Sequence, residues 1–253
     1  GAEGAAVLER PNNTLAVEYL RAIRRLGSPL GARTVRRAGA QHGQQAFGGF
    51  ASASYLRRLL AAGEIERAAA YMPPAAAEIL RREQAAGRVT DPALCERAIL
   101  FRLRTMTADD WQRYDGGGEG LGNRLYQASR TGGTLEEVLA AAKTKRYPLA
   151  RLRRMVLAAW LALPEPPVCA PYLRVLAAND TGRRLLRQMR DAGAPVLTKP
   201  ADVSRLGTEA ETLFAVESRC TDLYVLARPD PAQMAPGQEL RMTPVMRRTD
   251  KLT

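Results

Sequence analysis

The stretch KTKRYPLARLRRMVLAAWLALP, residues 143–164, carries the two features on which the predicted fold and function depend. Over 149–163 the apolar residues recur every three or four positions, which is the period of an amphipathic helix. Pro148 and Pro164 fit the start and the end of that helix. Six of the twelve residues 143–154 are basic and none is acidic. The stretch therefore predicts a core helix that begins with an unbalanced positive charge.

Helical spacing and cap residues recur along most of the chain. Asn13 is placed to cap a helix over 14–26, and Ser52 or Ser54 to cap a helix that ends at Gly63. A run of helices is expected to follow, with cap patterns at Asp91-Pro92, at Thr107 with Asp110, and at Thr134 with Glu137.

A few short strands are predicted near the two ends of the chain. One is expected over Ala32–Gly39, where Thr34 and Val35 are β-branched. Two more are expected at PYLRVLA and APVLT, on either side of a helix over 181–191. A final helix is predicted over 208–227, and the Pro-rich tail from Arg228 is predicted to be poorly ordered. The fold class is therefore mainly α with a few short strands.

Composition excludes several classes of protein. The 253 residues contain one histidine and three isolated cysteines, so a zinc finger, which needs four closely placed ligands, and a disulfide scaffold are both disfavoured. No metal site is predicted. The longest apolar run, over 155–163, is too short to span a bilayer, and the first ten residues have no signal-peptide core. We expect a cytoplasmic protein without a membrane partner.

The charge balance favours an anionic partner. The net charge is +12, and only four of the 38 basic residues are lysines. A GC-rich genome explains the choice of arginine over lysine but not the surplus of bases over acids. A surplus of this size is typical of proteins that bind RNA or DNA.

The basic segment 143–154 is the first candidate site. A solvated helix face usually mixes charges of both signs, so a run of one sign at a helix start favours a nucleic-acid contact. An aromatic ring in the same segment could stack on a base. The residues predicted to bind RNA are Lys143, Lys145, Arg146, Tyr147, Arg151 and Arg154.

Three further segments could contact a nucleotide. Asn12 lies at a helix start, where carboxamides serve either as caps or as ligands. Arg37 precedes a Gly-rich loop that holds His42, and a solvated arginine is the alternative there. The small hydroxyl residues Ser52 and Ser54, followed by a helix and Arg57, form either a capped basic helix or an anion cradle.

These segments together resemble the tRNA(Met) cytidine acetate ligases. Family stretches of the types PNNILGxxYxKAI, IKRxGAxYHD, ISATSIR, EGLENRL, KTKRYTxARIQR and PYLRVLGFN have counterparts here in the same order. The counterparts are PNNTLAVEYLRAI, VRRAGAQHGQ, ASASYLRR, GEGLGNRL, KTKRYPLARLRR and PYLRVLAAN. They span nearly the whole chain.

The resemblance implies a fold and an activity. Family members activate acetate with ATP as acetyl-adenylate and transfer the acetyl group to N4 of the wobble cytidine of elongator tRNA(Met). Their fold is a Rossmann-like nucleotidyltransferase domain followed by a helical tRNA-binding part. The resemblance implies ATP with Mg²⁺ as cofactors, tRNA and acetate as substrates, and ATP contacts at Asn12, Arg37, Ser52, Ser54 and Arg57. The departures are Ala51, Ala53 and Tyr55 within ISATSI, and Gly43 after the histidine.

One family feature is absent from these residues. Members carry an NPFHNGH-type loop whose histidines bind ATP, and a chain with one histidine cannot form it. We therefore expect residues 1–63 to be the end of the ATP-binding domain, residues 64–253 to be the tRNA-binding domain, and the chain alone to be inactive in adenylation. The alternatives are a non-enzymatic RNA-binding module and a nucleotidyltransferase that acts on a small molecule.

Overall fold

A computed structural model of the chain describes residues 8, 11–35, 46–47, 49–115, 118, 120–165 and 169–247. The chain divides into two compact units, residues 1–71 and residues 72–253. As predicted, the described part is mainly helical with short strands.

The described residues of the first unit form helices and one hairpin. Helix α1 (Pro11–Arg25) is followed by the antiparallel strands β1 (Ala46–Phe47) and β2 (Phe50–Ala51), and then by α2 (Ala53–Ala61) and α3 (Ile65–Ala69). Ser52 caps α2 as predicted, because its Oγ accepts a hydrogen bond from the backbone N–H of Tyr55 at 3.2 Å. The helix stops before Gly63, whose φ of +73° is accessible at little cost only to glycine.

Two sequence predictions for the first unit need correction. Asn13 does not cap a helix, because α1 already includes Pro11 and Asn13 lies inside its first turn. Residues 32–35 of the strand predicted over Ala32–Gly39 are irregular, and residues 36–39 lie outside the described part.

The second unit begins with a bundle of short helices. They are α4 (Pro74–Ala85), α5 (Glu96–Thr105), α6 (Ala108–Gln112), α7 (Leu121–Thr131), α8 (Leu135–Ala142) and α9 (Leu149–Trp160). The predicted caps operate at Asp91, Thr107 and Thr134, whose side chains accept backbone N–H bonds. Thr107 and Asp110 form a full capping box, in which each side chain accepts a hydrogen bond from the backbone N–H of the other residue. The Glu137 side chain accepts from the N–H of Gly133, not from that of Thr134.

Helices α5 to α9 pack around one apolar core. Leu103, Trp111, Leu125, Val138 and Leu152 are fully buried in it. The stripe predicted for α9 faces this core through Leu152, Val156 and Ala159, joined by Met155. The core helix predicted from residues 149–163 is therefore confirmed.

Arginine side chains bind the carbonyl groups at the ends of four of these helices. Arg130 donates to carbonyls at the end of α5, reaching Met106 at 2.7 Å, and Arg104 of α5 donates in return to Gly132 at the end of α7 at 2.9 Å. Arg124 binds the end of α8, and Arg219 binds the end of α9. The last carbonyls of a helix have no partner within the helix, so these guanidinium groups replace water there.

The rest of the second unit holds the remaining strands. Strand β3 (Leu173–Arg174) pairs in parallel with β5 (Val196–Leu197), and β4 (Ala177–Ala178) pairs in parallel with β6 (Val245–Met246). The connecting helices are α10 (Asp180–Asp191), α11 (Thr208–Tyr224) and α12 (Gln238–Arg241). The strands predicted at PYLRVLA and APVLT and the helix between them are confirmed.

The tail from Arg228 to Arg247 is ordered, contrary to the prediction. It contains α12 and β6, and the backbone N–H of Arg247 donates to Ala178 at 2.9 Å. A buried network holds it, because Arg174 forms ion pairs with Glu239 of α12 and with Glu217 of α11. Tyr172 donates to Glu217 at 2.6 Å, and burial together with this bond raises the pKa of the Tyr172 hydroxyl. These partners are distant in sequence, so composition alone could not identify them.

Among the described residues, no helix combines the length and the apolar character needed to cross a membrane.

Candidate functional site

The basic segment lies between two helices of the first core. Helix α8 ends at Ala142, α9 begins at Leu149, and residues 143–148 connect them. Lys143, Lys145 and Arg154 are exposed, and none of the three forms an ion pair with another described residue. Arg146 is also exposed. Lys143, Lys145 and Arg154 therefore present to solvent a positive charge that no described acidic residue offsets.

The start of α9 adds to the positive potential. A helix N-terminus carries a partial positive charge, and α9 has neither an acidic residue in its first turn nor a side-chain cap at Pro148. Cations placed there repel the helix dipole and reduce helix stability. An anion bound at the same place is attracted both by the dipole and by the side chains.

Tyr147 does not offer the open stacking surface that the sequence predicted. Its ring is only 7% exposed and belongs to the apolar core. The guanidinium carbons of Arg146 and Arg151 each lie 5.7 Å from the ring centroid. The ring therefore holds arginines by cation–π contact, and we assign it a positioning role in place of base stacking.

Arg151 and Arg124 fix the segment to the core. Arg151 is half-buried and donates to the carbonyl of Asp115 at 3.4 Å. Arg124 donates to the carbonyls of Ala142 at 2.8 Å and Ala141 at 3.2 Å, directly before Lys143. The direction in which the basic segment leaves α8 thus depends on an arginine from the GEGLGNRL motif. Sequence reasoning missed this role because the two partners are about 18 positions apart.

Asp115 holds the start of α7, the helix that carries Arg124. Its side chain is buried, and Oδ2 accepts a hydrogen bond from the N–H of Gly122 in the first turn of α7 at 3.1 Å. Gly122 itself lies against α6, since an added Cβ would be 3.1 Å from the carbonyl oxygen of Trp111. Asp115 and Gly122 therefore have a packing role in this site.

The residues expected to contact ATP lie in the first unit. Ser52 is buried and its hydroxyl caps α2, whereas Ser54 and Arg57 are exposed on α2 about one turn apart. No acidic residue occupies the first turn of α2, which suits an anion. Asn12 is exposed in the first turn of α1, and Arg37 and His42 lie outside the described residues. Within the described part no hydrogen bond joins Asn12 to the start of α2, so a shared nucleotide pocket stays a prediction.

The sequence matches the profile of the HIGH Nucleotidyl Transferase family over residues 2–239. It is 30% identical to the tRNA(Met) cytidine acetate ligase of Syntrophomonas wolfei, over 94% of this chain and 61% of that protein. It is 34% identical to the enzyme of the same name from Kosmotoga olearia, over 81% of this chain and 50% of that protein. The predicted resemblance is therefore confirmed, and the chain spans between half and about three fifths of these relatives.

A solved structure has the same fold. The crystal structure of Thermotoga maritima TmcAL in an apo form superposes with a TM-score of 0.89 at 25% identity, covering 98% of this chain and 63% of that one. The same protein bound with alpha-thio ATP superposes with a TM-score of 0.87 at 24% identity.

The unfavourable start of α9 leads to a prediction about stability. Replacing the exposed Ala150 by Glu places an acid in the first turn of α9, beside the helix dipole and the basic segment. We expect the free energy of unfolding to rise by about 0.3–1 kcal/mol, measured by urea denaturation at low salt. Ala150→Gln is the matched control, since it adds similar bulk without charge. Equal stability of the two variants would contradict an unfavourable potential at this helix start.

Proposed function

The chain belongs to the HIGH nucleotidyl transferase family, and we propose that it supplies the RNA-binding surface of a tRNA(Met) cytidine acetate ligase. The observation that carries this proposal is the exposure of Lys143, Lys145 and Arg154 around the start of α9, where none of the three forms an ion pair with another described residue. Phosphate is the ligand that such a group attracts most strongly. A cytoplasmic location, expected from the sequence, agrees with a tRNA substrate and stays a prediction.

In this proposal the two units have different tasks. The second unit binds tRNA through Lys143, Lys145, Arg146 and Arg154, and Arg151 and Tyr147 hold the segment in place. The first unit contributes one edge of the nucleotide site, where Ser54 and Arg57 at the start of α2 suit the phosphates of ATP. The hydroxyl of Ser52 orders α2 by capping it, so we assign it an indirect role. Mg²⁺ accompanies ATP and is held mainly by phosphate oxygens and water.

The proposed reaction has two steps. An acetate oxygen attacks the α-phosphorus of ATP and pyrophosphate leaves, which gives acetyl-adenylate. The N4 amino group of the wobble cytidine then attacks the acetyl carbonyl, and AMP leaves. Charge builds on the phosphates during the first step, and positioned guanidinium and N–H donors stabilise it. Among the described residues, Arg57 is expected to bind the phosphates of ATP in the first step. The basic segment is expected to bind the phosphates of tRNA.

Two double variants test the RNA-binding part. Lys143→Gln with Lys145→Gln removes two exposed charges. We expect the affinity for tRNA to fall about tenfold. We also expect the slope of log affinity against log salt concentration to become shallower by roughly 1–2. Binding of labelled elongator tRNA(Met) is measured by fluorescence anisotropy. Arg82→Gln with Arg97→Gln removes the same charge from exposed positions on α4 and α5 and serves as the control. Equal effects of the two double variants would contradict a specific role for the segment.

The chain alone is expected to be inactive in the first step. The family's adenylation loop uses more than one histidine, and these 253 residues contain only His42. We expect no acetate-dependent exchange of pyrophosphate into ATP above the background without protein. Exchange by the purified chain would refute this expectation, whereas tRNA binding without exchange agrees with it. Absence of tRNA binding at low salt would instead refute the RNA-binding proposal.

A further inference from the structure

A second basic surface lies on α10, away from the first core. The helix contains Arg183, Arg184, Arg187 and Arg190, and all four side chains are exposed. We propose that this surface binds the sugar–phosphate backbone of the same RNA at a place separate from the basic segment 143–154. The inference rests on the proposed function, because it takes RNA as the partner.

The packing of α10 leaves its arginines in solvent. None of its residues is buried, and Leu186 and Met189 are half-buried on the side that lies against β4 and β5. Gly182 brings the start of the helix close to β4, since an added Cβ would lie 3.3 Å from that of Ala178. At 100° per residue, Arg183, Arg187 and Arg190 fall within about 60° of one another, with Arg190 at the edge nearest the packed side. The helix is thus held on one side and presents a row of guanidinium groups on the other.

Most of this charge is not neutralised by nearby acids. Arg184 and Arg190 donate to the hydroxyl groups of Thr181 and Thr198, each at 3.2 Å, and these neutral partners leave the charge in place. Arg187 forms no ion pair with any described residue. Arg183 approaches Asp180 at 3.7 Å, in an exposed pair of the kind that contributes little. The surface therefore carries a net positive charge over the length of the helix.

The spacing suits a phosphate backbone. Seven residues separate Arg183 from Arg190, which corresponds to about 10 Å along the helix axis. This is long enough to contact about two successive phosphates of one strand. The surface lacks an exposed aromatic ring on which a base could stack, within the described part of α10. It therefore fits contacts that position RNA better than contacts that read its sequence.

The surface and the basic segment belong to different cores. Helix α10 contacts β4 and β5, and β5 contributes Leu197 to a second apolar core with Tyr172 and Phe214. The segment 143–154 lies on the core of helices α5 to α9. Substitution of exposed residues on one surface should thus leave the fold of the other unchanged, so their contributions can be measured separately.

The test is tRNA binding by the full chain with Arg183→Gln and Arg187→Gln together. We expect an affinity loss of about tenfold and a salt slope shallower by roughly 1–2, compared with less than about twofold for Arg82→Gln with Arg97→Gln. Arg184→Gln with Arg190→Gln is a second pair with the same expected result. Circular dichroism and urea midpoints check that each variant is folded.

The outcomes separate this inference from the proposed function. The inference is wrong and the proposed function stands under two conditions. Both double variants of α10 bind tRNA as tightly as Arg82→Gln with Arg97→Gln, and Lys143→Gln with Lys145→Gln binds it weakly. If the unmodified chain does not bind tRNA at low salt, both fail. A loss in both α10 pairs that clearly exceeds the loss in the control supports the inference.

Discussion

Hydrogen bonds from arginine to the carbonyl groups at helix ends hold the main helical core together. Its helices are only 5 to 12 residues long, so a large share of their carbonyls lies near an end and lacks a helical partner. Arginine is suited to this task because its planar guanidinium group offers several donors from one long side chain. Arg104 and Arg130 exchange such bonds between α5 and α7, and Arg124 and Arg219 bind the ends of α8 and α9.

This use of arginine changes the interpretation of the net charge. Part of the +12 surplus belongs to side chains that bind carbonyl oxygens, such as Arg124 and Arg219, and these are explained by structure alone. The proposed RNA contacts depend instead on the exposed cations Lys143, Lys145 and Arg154 and on Arg184, Arg187 and Arg190 of α10. None of these six forms an ion pair with another described residue. The overall charge suggests an anionic partner, but only the placement of each arginine indicates where that partner binds. The internal arginines also matter to binding, because Arg124 sets the point at which the basic segment leaves α8.

The sequence predicts well those features that depend on neighbouring residues. The caps at Ser52 and Thr107, the apolar stripe of α9 and the helix over 181–191 all follow from local spacing. The cap assigned to Asn13 was wrong because a proline suited to the first turn stands two residues earlier, which moves the helix start. The ordered tail could not be predicted, since it depends on the ion pair between Arg174 and Glu239, which are far apart along the chain.

The candidate site was predicted in composition but not in geometry. Lys143, Lys145, Arg146 and Arg154 of the basic segment are exposed, and their role in binding RNA stays a prediction. Tyr147 was expected to stack on a base because aromatic residues beside lysines commonly do so. Its burial follows from the contact between the segment and the core of α5 to α9. The arginines of α10 were missed because Arg and Leu alternate there in a pattern typical of an ordinary amphipathic helix. Helix α10 differs from such a helix because its arginines are exposed and because Arg184, Arg187 and Arg190 form no ion pair with any described acidic residue.

The most direct test of RNA binding through these exposed cations is ultraviolet cross-linking of the full chain to elongator tRNA(Met), followed by mass spectrometry of the linked peptides. The account predicts cross-links in peptides that contain residues 143–154, with weaker ones at α10, and a loss of both as salt is raised. Cross-links confined to α4, α5 or the helix ends bound by internal arginines would contradict it.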